Sequence, residues 1–221
     1  MLSVARRLMV SEQLTARGIG DRRVLEAMVE IPRHLFVEEA LWPEAYGEHA
    51  LPIGFGQTIS QPYIVARMCE LLKLEGSEKI LEVGLGSGYH AAVLSRLGRT
   101  VFAIERIAKL AERARKTLES LGISNVIVKA ADGSTGWRSL APFDRIAVTA
   151  AAARIPPPLL EQLAESGRMV MPVGARDEQR IVLVEKKGET LLRRDIEGVR
   201  FVPLVQGRGK GTVGGNKVDR I

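Results

Sequence analysis

Cysteine occurs once in these 221 residues, as Cys69. That excludes an internal disulfide and any cysteine-built metal cluster. Histidine occurs three times, as His34, His49 and His90, with no metal-ligand spacing among them. No metal is expected, and none of the three is given a chemical role. No apolar run approaches the roughly 20 residues that cross a bilayer, so no membrane partner is expected. Residues 1–7 lack the apolar stretch and cleavage site of a secretory signal. Together with the single cysteine, this points to the cytoplasm. Internal repeats are missing too. What is present is 46% hydrophobic residues at a mean hydropathy of +0.04. A chain of this length makes one domain of fair size, able to bury roughly 70% of its unfolded surface.

The net charge of +6 and a pI near 9.7 leave nucleic acid open as a partner. Most basic residues nevertheless stand among acids. In the helix expected around 108–121, Glu105–Lys109 and Glu112–Lys116 fall at i,i+4, the spacing of a solvated face. Surplus positive charge gathers at Arg193-Arg194 and from Arg208 onward. Solubility plus a basic tail explains this pattern better than a nucleic-acid footprint.

Residues 1–75 read as mostly helical. Leu8, Val10 and Leu14 continue an apolar stripe, and Asp21 is a candidate N-cap for a helix running to Ile31, stopped by Pro32. From 42 to 62 no sustained period holds, which marks a long loop of the kind that is often functional. Gln61-Pro62 then opens a helix to Leu74, with Cys69 inside its apolar face. Strands are expected at 79–83, 100–104, 126–130, 144–148, 168–172, 181–186 and 191–199, and helices at 89–97, 108–121 and 157–164. Alternation of strand and helix predicts an α/β fold with a doubly wound, mostly parallel seven-stranded sheet. The last two strands succeed each other with no helix between, so one edge should be antiparallel. A single domain over 1–206 and a flexible, basic Gly-rich tail over 207–221 complete the expected organisation.

The densest information lies in Ile80-Leu81-Glu82-Val83-Gly84-Leu85-Gly86-Ser87-Gly88. It reads as a buried strand entering a glycine turn and then a helix, where an open α/β sheet binds a nucleotide-like ligand. A dinucleotide fingerprint wants a small residue three places after Gly86, and Tyr89 stands there instead. An acid at Glu82 followed by G-x-G-x-G resembles motif I of S-adenosylmethionine-dependent methyltransferases. Glu105 ends the next strand, where a carboxylate can accept from both ribose hydroxyls. Asp132-Gly133 comes after the third strand, where an acid can accept from an adenine amino group while glycine lets the backbone approach. Three such features in order favour S-adenosylmethionine.

The segment after the fourth strand, Thr149-Ala150-Ala151-Ala152-Ala153, narrows the acceptor, because it has no Asn/Asp-Pro-Pro turn for amino-group methylation. Cytosine C5 methylation would need a nucleophilic cysteine, and Cys69 reads as core. A carboxylate needs no general base, because it is ionised at pH 7 with a reference pKa near 4. Alignment and exclusion of water would then supply most of the acceleration. Thr58 and Ser60 offer hydroxyls near a helix start, although Ser60 by position could equally be that helix's N-cap.

The run from Tyr46 through Pro62, with Leu-Pro-Ile-Gly and Gly-Gln-Thr-Ile-Ser-Gln-Pro, closely resembles the signature of protein-L-isoaspartate O-methyltransferases. So do Leu81–Leu94, Val101–Arg106, Ala141–Val148, Arg168–Gly174 and Phe201–Leu204, in order along nearly the whole chain. The resemblance implies a class I methyltransferase fold and a repair enzyme. Such an enzyme methylates the α-carboxylate of L-isoaspartyl, and some D-aspartyl, residues in damaged proteins, and the ester then closes to a succinimide. It implies Ser60 as the active-site serine, with Thr58, Ile59, Val202 and Leu204 also at the substrate. It implies a flap over 46–62. The cofactor positions implied are Glu82, Gly84, Gly86, Ser87, Gly88, Glu105, Arg106, Asp132 and Gly133. A monomer that binds neither nucleic acid nor membrane is expected; a nucleic-acid-modifying methyltransferase is the alternative. Phe55, His90, Arg154 and Glu165-Ser166-Gly167 depart from the family pattern.

Overall fold

The computed structural model describes residues 1–175, 178–205 and 207. The tail read from the sequence as flexible lies outside the described residues except for Gly207. Helix α1, Leu2–Leu8, continues through a wider-pitched stretch, Met9–Leu14. That widening rotates the stripe: Met9, Val10 and Leu14 are buried, while Leu8 is 47% exposed. Asp21 caps α2, Arg22–Glu30, its carboxylate accepting from the N–H groups of Arg23 and Val24 at 2.9 and 3.3 Å. Asp21→Ala should therefore lower stability by about 1 kcal/mol. Urea denaturation would show this as a lower midpoint at an unchanged slope.

The long loop contains regular structure that the sequence pattern hides. Strands β1, Leu51–Gly54, and β2, Gln57–Ile59, form an antiparallel hairpin with Leu51 opposite Ile59. Its tip, Gly54-Phe55-Gly56, has three consecutive positive φ values, 84, 55 and 68°. The Arg113 guanidinium donates to the Ile53 carbonyl and ties the hairpin to the main body. Helix α3, Pro62–Leu72, ends two residues short of expectation because Lys73 takes a left-handed conformation, φ 49°.

The main sheet comprises β3 Lys79–Val83, β4 Thr100–Glu105, β5 Val126–Ala130, β6 Phe143–Val148, β7 Leu163–Ala175, β8 Glu178–Lys187 and β9 Thr190–Val199. Their order is β5-β4-β3-β6-β7-β8-β9, with β3 to β7 parallel and β8 and β9 antiparallel to their neighbours. This is the doubly wound, antiparallel-edged sheet that the alternation predicts. The largest difference in boundaries falls before β7. The helix expected over 157–164 is only α6, Pro157–Glu161, and β7 begins at Leu163 rather than 168. Leu163 pairs with Phe143, both are fully buried, and the register then shifts before Arg168 meets Arg145. Burying that pair outweighs the helical pattern of the local sequence.

Successive β3 residues feed two cores. Ile80 joins the cluster that includes α3, α4 (Tyr89–Leu97) and α5 (Ala108–Ser120), whereas Leu81 and Val83 join Phe143, Leu159 and Met169 on the other face. Glu82 shares the side of Ile80, between β3 and α4. The strand order reverses at β3, which leaves a crevice at the carboxyl ends of β3, β4 and β6.

Candidate active site

A cleft occupies that crevice. Gly84 turns the chain at its base with φ +96°, and a Cβ there would lie 2.5 Å from the Thr149 hydroxyl oxygen. No side chain fits. That hydroxyl donates to the Gly84 carbonyl and so fastens the end of β6 to the turn. Gly86 and Ser87 line the cleft, and Gly88, left-handed at φ 91°, starts α4. Gly133 lines it as well, its Cα packed so closely on Val83 that a Cβ would meet Cγ1 at 2.5 Å. Backbone can reach a ligand there, as the sequence suggests.

Glu105 is buried at the cleft edge, and its carboxylate is held from two sides. Oε2 accepts from the Gly86 N–H at 2.9 Å and Oε1 from the Ile107 N–H at 2.8 Å. Each oxygen keeps a further lone-pair direction, so the pair is a preset acceptor for two neighbouring hydroxyls. The surface pairing expected between Glu105 and Lys109 is not formed, because the carboxylate turns inward. The second pair is formed, with Lys116 Nζ 2.9 Å from Glu112. Arg106 lines the rim and is exposed.

Two of the acids are engaged by the protein's own groups. Asp132 does not line the cleft. Its Oδ1 accepts from the Ser134 N–H and hydroxyl at 2.9 and 2.8 Å, and its Oδ2 from the Gly207 N–H at 2.7 Å. Burial pushes its pKa up, but these donors outweigh it and hold the carboxyl below its ordinary value. The carboxylate is used to cap the turn Gly133–Thr135 and to receive the end of the described chain. Glu82 is fully buried behind the cleft wall, its Oε1 3.1 Å from Nδ1 of His90. Burial raises its pKa, partly countered by His90.

On the acceptor side, Thr58, Ile59, Ser60, Val202 and Leu204 all line the cleft. Ser60 does not cap α3: Gln61 occupies the cap position and no side chain there bonds the helix. Among the described residues the Ser60 side chain makes no hydrogen bond. A second groove shares Thr58, Ser60, Thr149 and Val202 with the cleft and extends along Gly198 to Phe201. Ser60 thus stands where the two cavities join. The segment after β9 covers them, with Ala151 donating to Val202 at 2.8 Å and accepting from Leu204 at 2.7 Å.

Sequence reasoning missed Thr149, Ile107 and His90. Thr149 acts through Gly84, 65 residues away, which only the fold brings close, and Ile107 through its backbone N–H to Glu105, a contact that no side chain signals. His90 carried a readable signal, an acid and a histidine on either side of the glycine turn.

The site suits a nucleoside with an amino-acid arm: a pinned carboxylate for a ribose, glycine backbone under it, and an unpaired hydroxyl at the far end. A family model for protein-L-isoaspartate(D-aspartate) O-methyltransferase matches residues 5–209. A protein-L-isoaspartate O-methyltransferase 1 of Syntrophobacter fumaroxidans is 59% identical over 201 residues, 91% of this chain and 94% of that one. A Geobacter metallireducens protein-L-isoaspartate O-methyltransferase is 51% identical over 210 residues, covering 95% and 97%. A solved protein-L-isoaspartate O-methyltransferase structure superposes at TM-score 0.83 with 31% identity, covering 91% of this chain and 66% of that chain. The fold is shared, at TM-score 0.77 and 24% identity, by a Plasmodium falciparum protein crystallised with S-adenosyl-L-homocysteine; 91% of this chain and 99% of that chain are covered. Cleft, serine and relatives agree: the chain belongs to the protein-L-isoaspartate (D-aspartate) O-methyltransferase family.

Proposed function

We propose that this chain transfers a methyl group from S-adenosylmethionine to the free α-carboxylate of L-isoaspartyl, and some D-aspartyl, residues in damaged proteins. Esterification opens repair, because the ester closes to a succinimide whose hydrolysis returns some normal aspartate. The observation that carries the reading is the junction of cleft and groove at Ser60, in a chain that matches the family over residues 5–209.

The cofactor supplies a sulfonium methyl; the new O–CH₃ bond forms as S–CH₃ breaks, and opposite charges become neutral products. The protein's part is placement. Glu105 would hold the ribose hydroxyls, and the glycine turn at 84–88 would hold the rest of the cofactor. The hydroxyls of Ser60 and Thr58 donate to the incoming carboxylate, fixing one oxygen in line with the methyl group. Val202 and Leu204, laid across by the Ala151 hydrogen bonds, close the site to water that would otherwise solvate the reacting charges. Arg106 at the rim completes the cofactor site.

The paired test uses an isoaspartyl peptide and its aspartyl twin with labelled cofactor. Label is expected in the isoaspartyl peptide and as released methanol, with none in the twin; equal labelling of both ends the isomer-specific reading. The protein acts as a monomer in the cytoplasm, where a lone buried Cys69 stays reduced. Its partners are proteins rather than nucleic acid. Salt-sensitive binding to RNA or DNA at physiological ionic strength would overturn that preference.

A further inference from the structure

The hairpin that carries Thr58 and Ile59, and leads into Ser60, is a sheet of its own two strands. A hairpin of that size is marginal alone, so whatever fastens it determines where its side chains stand. Leu51, Ile53 and Ile59 are buried and anchor it by packing. Among the described residues, one hydrogen bond joins 51–59 to the rest of the chain. It is the one that the Arg113 guanidinium donates to the Ile53 carbonyl.

Arg113 sits where three elements meet. Its neighbour on α5, Ala114, packs on the glycine turn, since a Cβ at Gly88 would lie 3.2 Å from the Ala114 Cβ. Ile53 packs on the same turn from the hairpin, since a Cβ at Gly86 would lie 3.3 Å from its Cδ1. The turn is thus clasped between α5 and β1, and the Arg113 hydrogen bond closes the clasp. Pro52, next to Ile53, stands opposite Thr58 in the hairpin register. A shift at the Ile53 carbonyl therefore passes across one strand pair to Thr58, and along the chain to Ser60. Arg113 itself is exposed and lines neither the cleft nor the groove.

We propose that Arg113 is a positioning residue for methyl transfer: by holding the hairpin onto the glycine turn, it sets Thr58 and Ser60 against the cofactor's methyl group while touching neither cofactor nor peptide. The inference rests on the proposed transfer reaction. Misplacement of a reacting group by about 1 Å can cost about 100-fold in rate. Cofactor binding is less exposed to such a shift, because Glu105 is braced by Gly86 and Ile107 and not by the hairpin. A hydrogen bond from a charged donor is worth about 10- to 100-fold, and the exposure of Arg113 puts this one at the lower end.

Two substitutions on this exposed helix face separate the hydrogen bond from the packing. Arg113→Met keeps an unbranched stem and removes the donor, whereas Arg113→Lys keeps stem, charge and an N–H; all three residues suit a helix. In Arg113→Met the single-turnover rate of transfer to an isoaspartyl peptide should fall about 10-fold, with S-adenosylhomocysteine affinity within about threefold of wild type. Hydrogen exchange should quicken about 10-fold at residues 51–59 and stay unchanged in β3 and α4. Arg113→Lys should return both the rate and the exchange to within about threefold of wild type. An unchanged transfer rate in Arg113→Met overturns the inference. So does exchange that quickens throughout the molecule, the mark of a merely structural role, or a lysine variant as impaired as the methionine one. A wild type that methylates no isoaspartyl peptide overturns the proposed reaction, and the inference with it.

Discussion

Replacing Ser60 by alanine is expected to cut kcat/KM for an isoaspartyl peptide by about 100-fold, leaving stability and S-adenosylhomocysteine affinity unchanged. A donor aimed at a reacting oxygen is worth about 100- to 1,000-fold in rate, and 100-fold corresponds to about 2.7 kcal/mol of transition-state stabilisation. The hydroxyl is unpaired within the described chain, so its removal strands no buried partner. Its position before Pro62 also suits a helix cap, which would cost about 1 kcal/mol of stability on removal. That role is filled otherwise: Gln61 holds the cap position, and no side chain bonds the start of α3. The two roles thus predict opposite pairs of results. A lower denaturation midpoint with intact turnover would refute the catalytic assignment. A rise in KM with unchanged kcat would instead place the hydroxyl in ground-state binding.

Local rules made legible those parts of the molecule whose cause is local. The strand from 79 to 83, the glycine turn and α4 arise from an apolar run, positive φ and a helix start. Asp21 announced its cap. Glu105 could be placed because a parallel strand must end at the crevice. What the sequence left unread has a different cause. Gln162 was read as helix interior, yet its amide accepts from the Trp137 N–H at 2.7 Å and donates to the Thr135 carbonyl at 2.9 Å. Partners some 25 residues away bring the chain out of the helix there, and no periodicity records them. The β1–β2 hairpin is too short to alternate visibly. Asp132 sits where the adenine rule wants an acid, but Ser134 and Gly207 take its oxygens, and the second of these contacts spans 75 residues. Glu82 and His90 were each legible as residues; that they face one another behind the cleft wall is a consequence of α4 folding back on β3.

Glu105→Ala should have the larger effect on the cofactor, weakening S-adenosylhomocysteine by at least about 100-fold, since two hydroxyls lose a charged acceptor worth about 1.5–3 kcal/mol per bond. The same change frees the N–H groups of Gly86 and Ile107, so the turn should also loosen and stability fall by about 1–3 kcal/mol. These losses come from one carboxylate and need separating. Glu105→Gln does so poorly, because its amide NH₂ must confront one of the two backbone donors. Glu105→Asp is the better probe: it keeps the charge but withdraws it by about one methylene, too far to brace both the turn and a ribose. If the aspartate variant regains stability but not affinity, the ribose contact is the part that needs reach. A stability loss with affinity within about threefold of wild type would show that Glu105 only braces the turn. The cleft would then need another ribose acceptor.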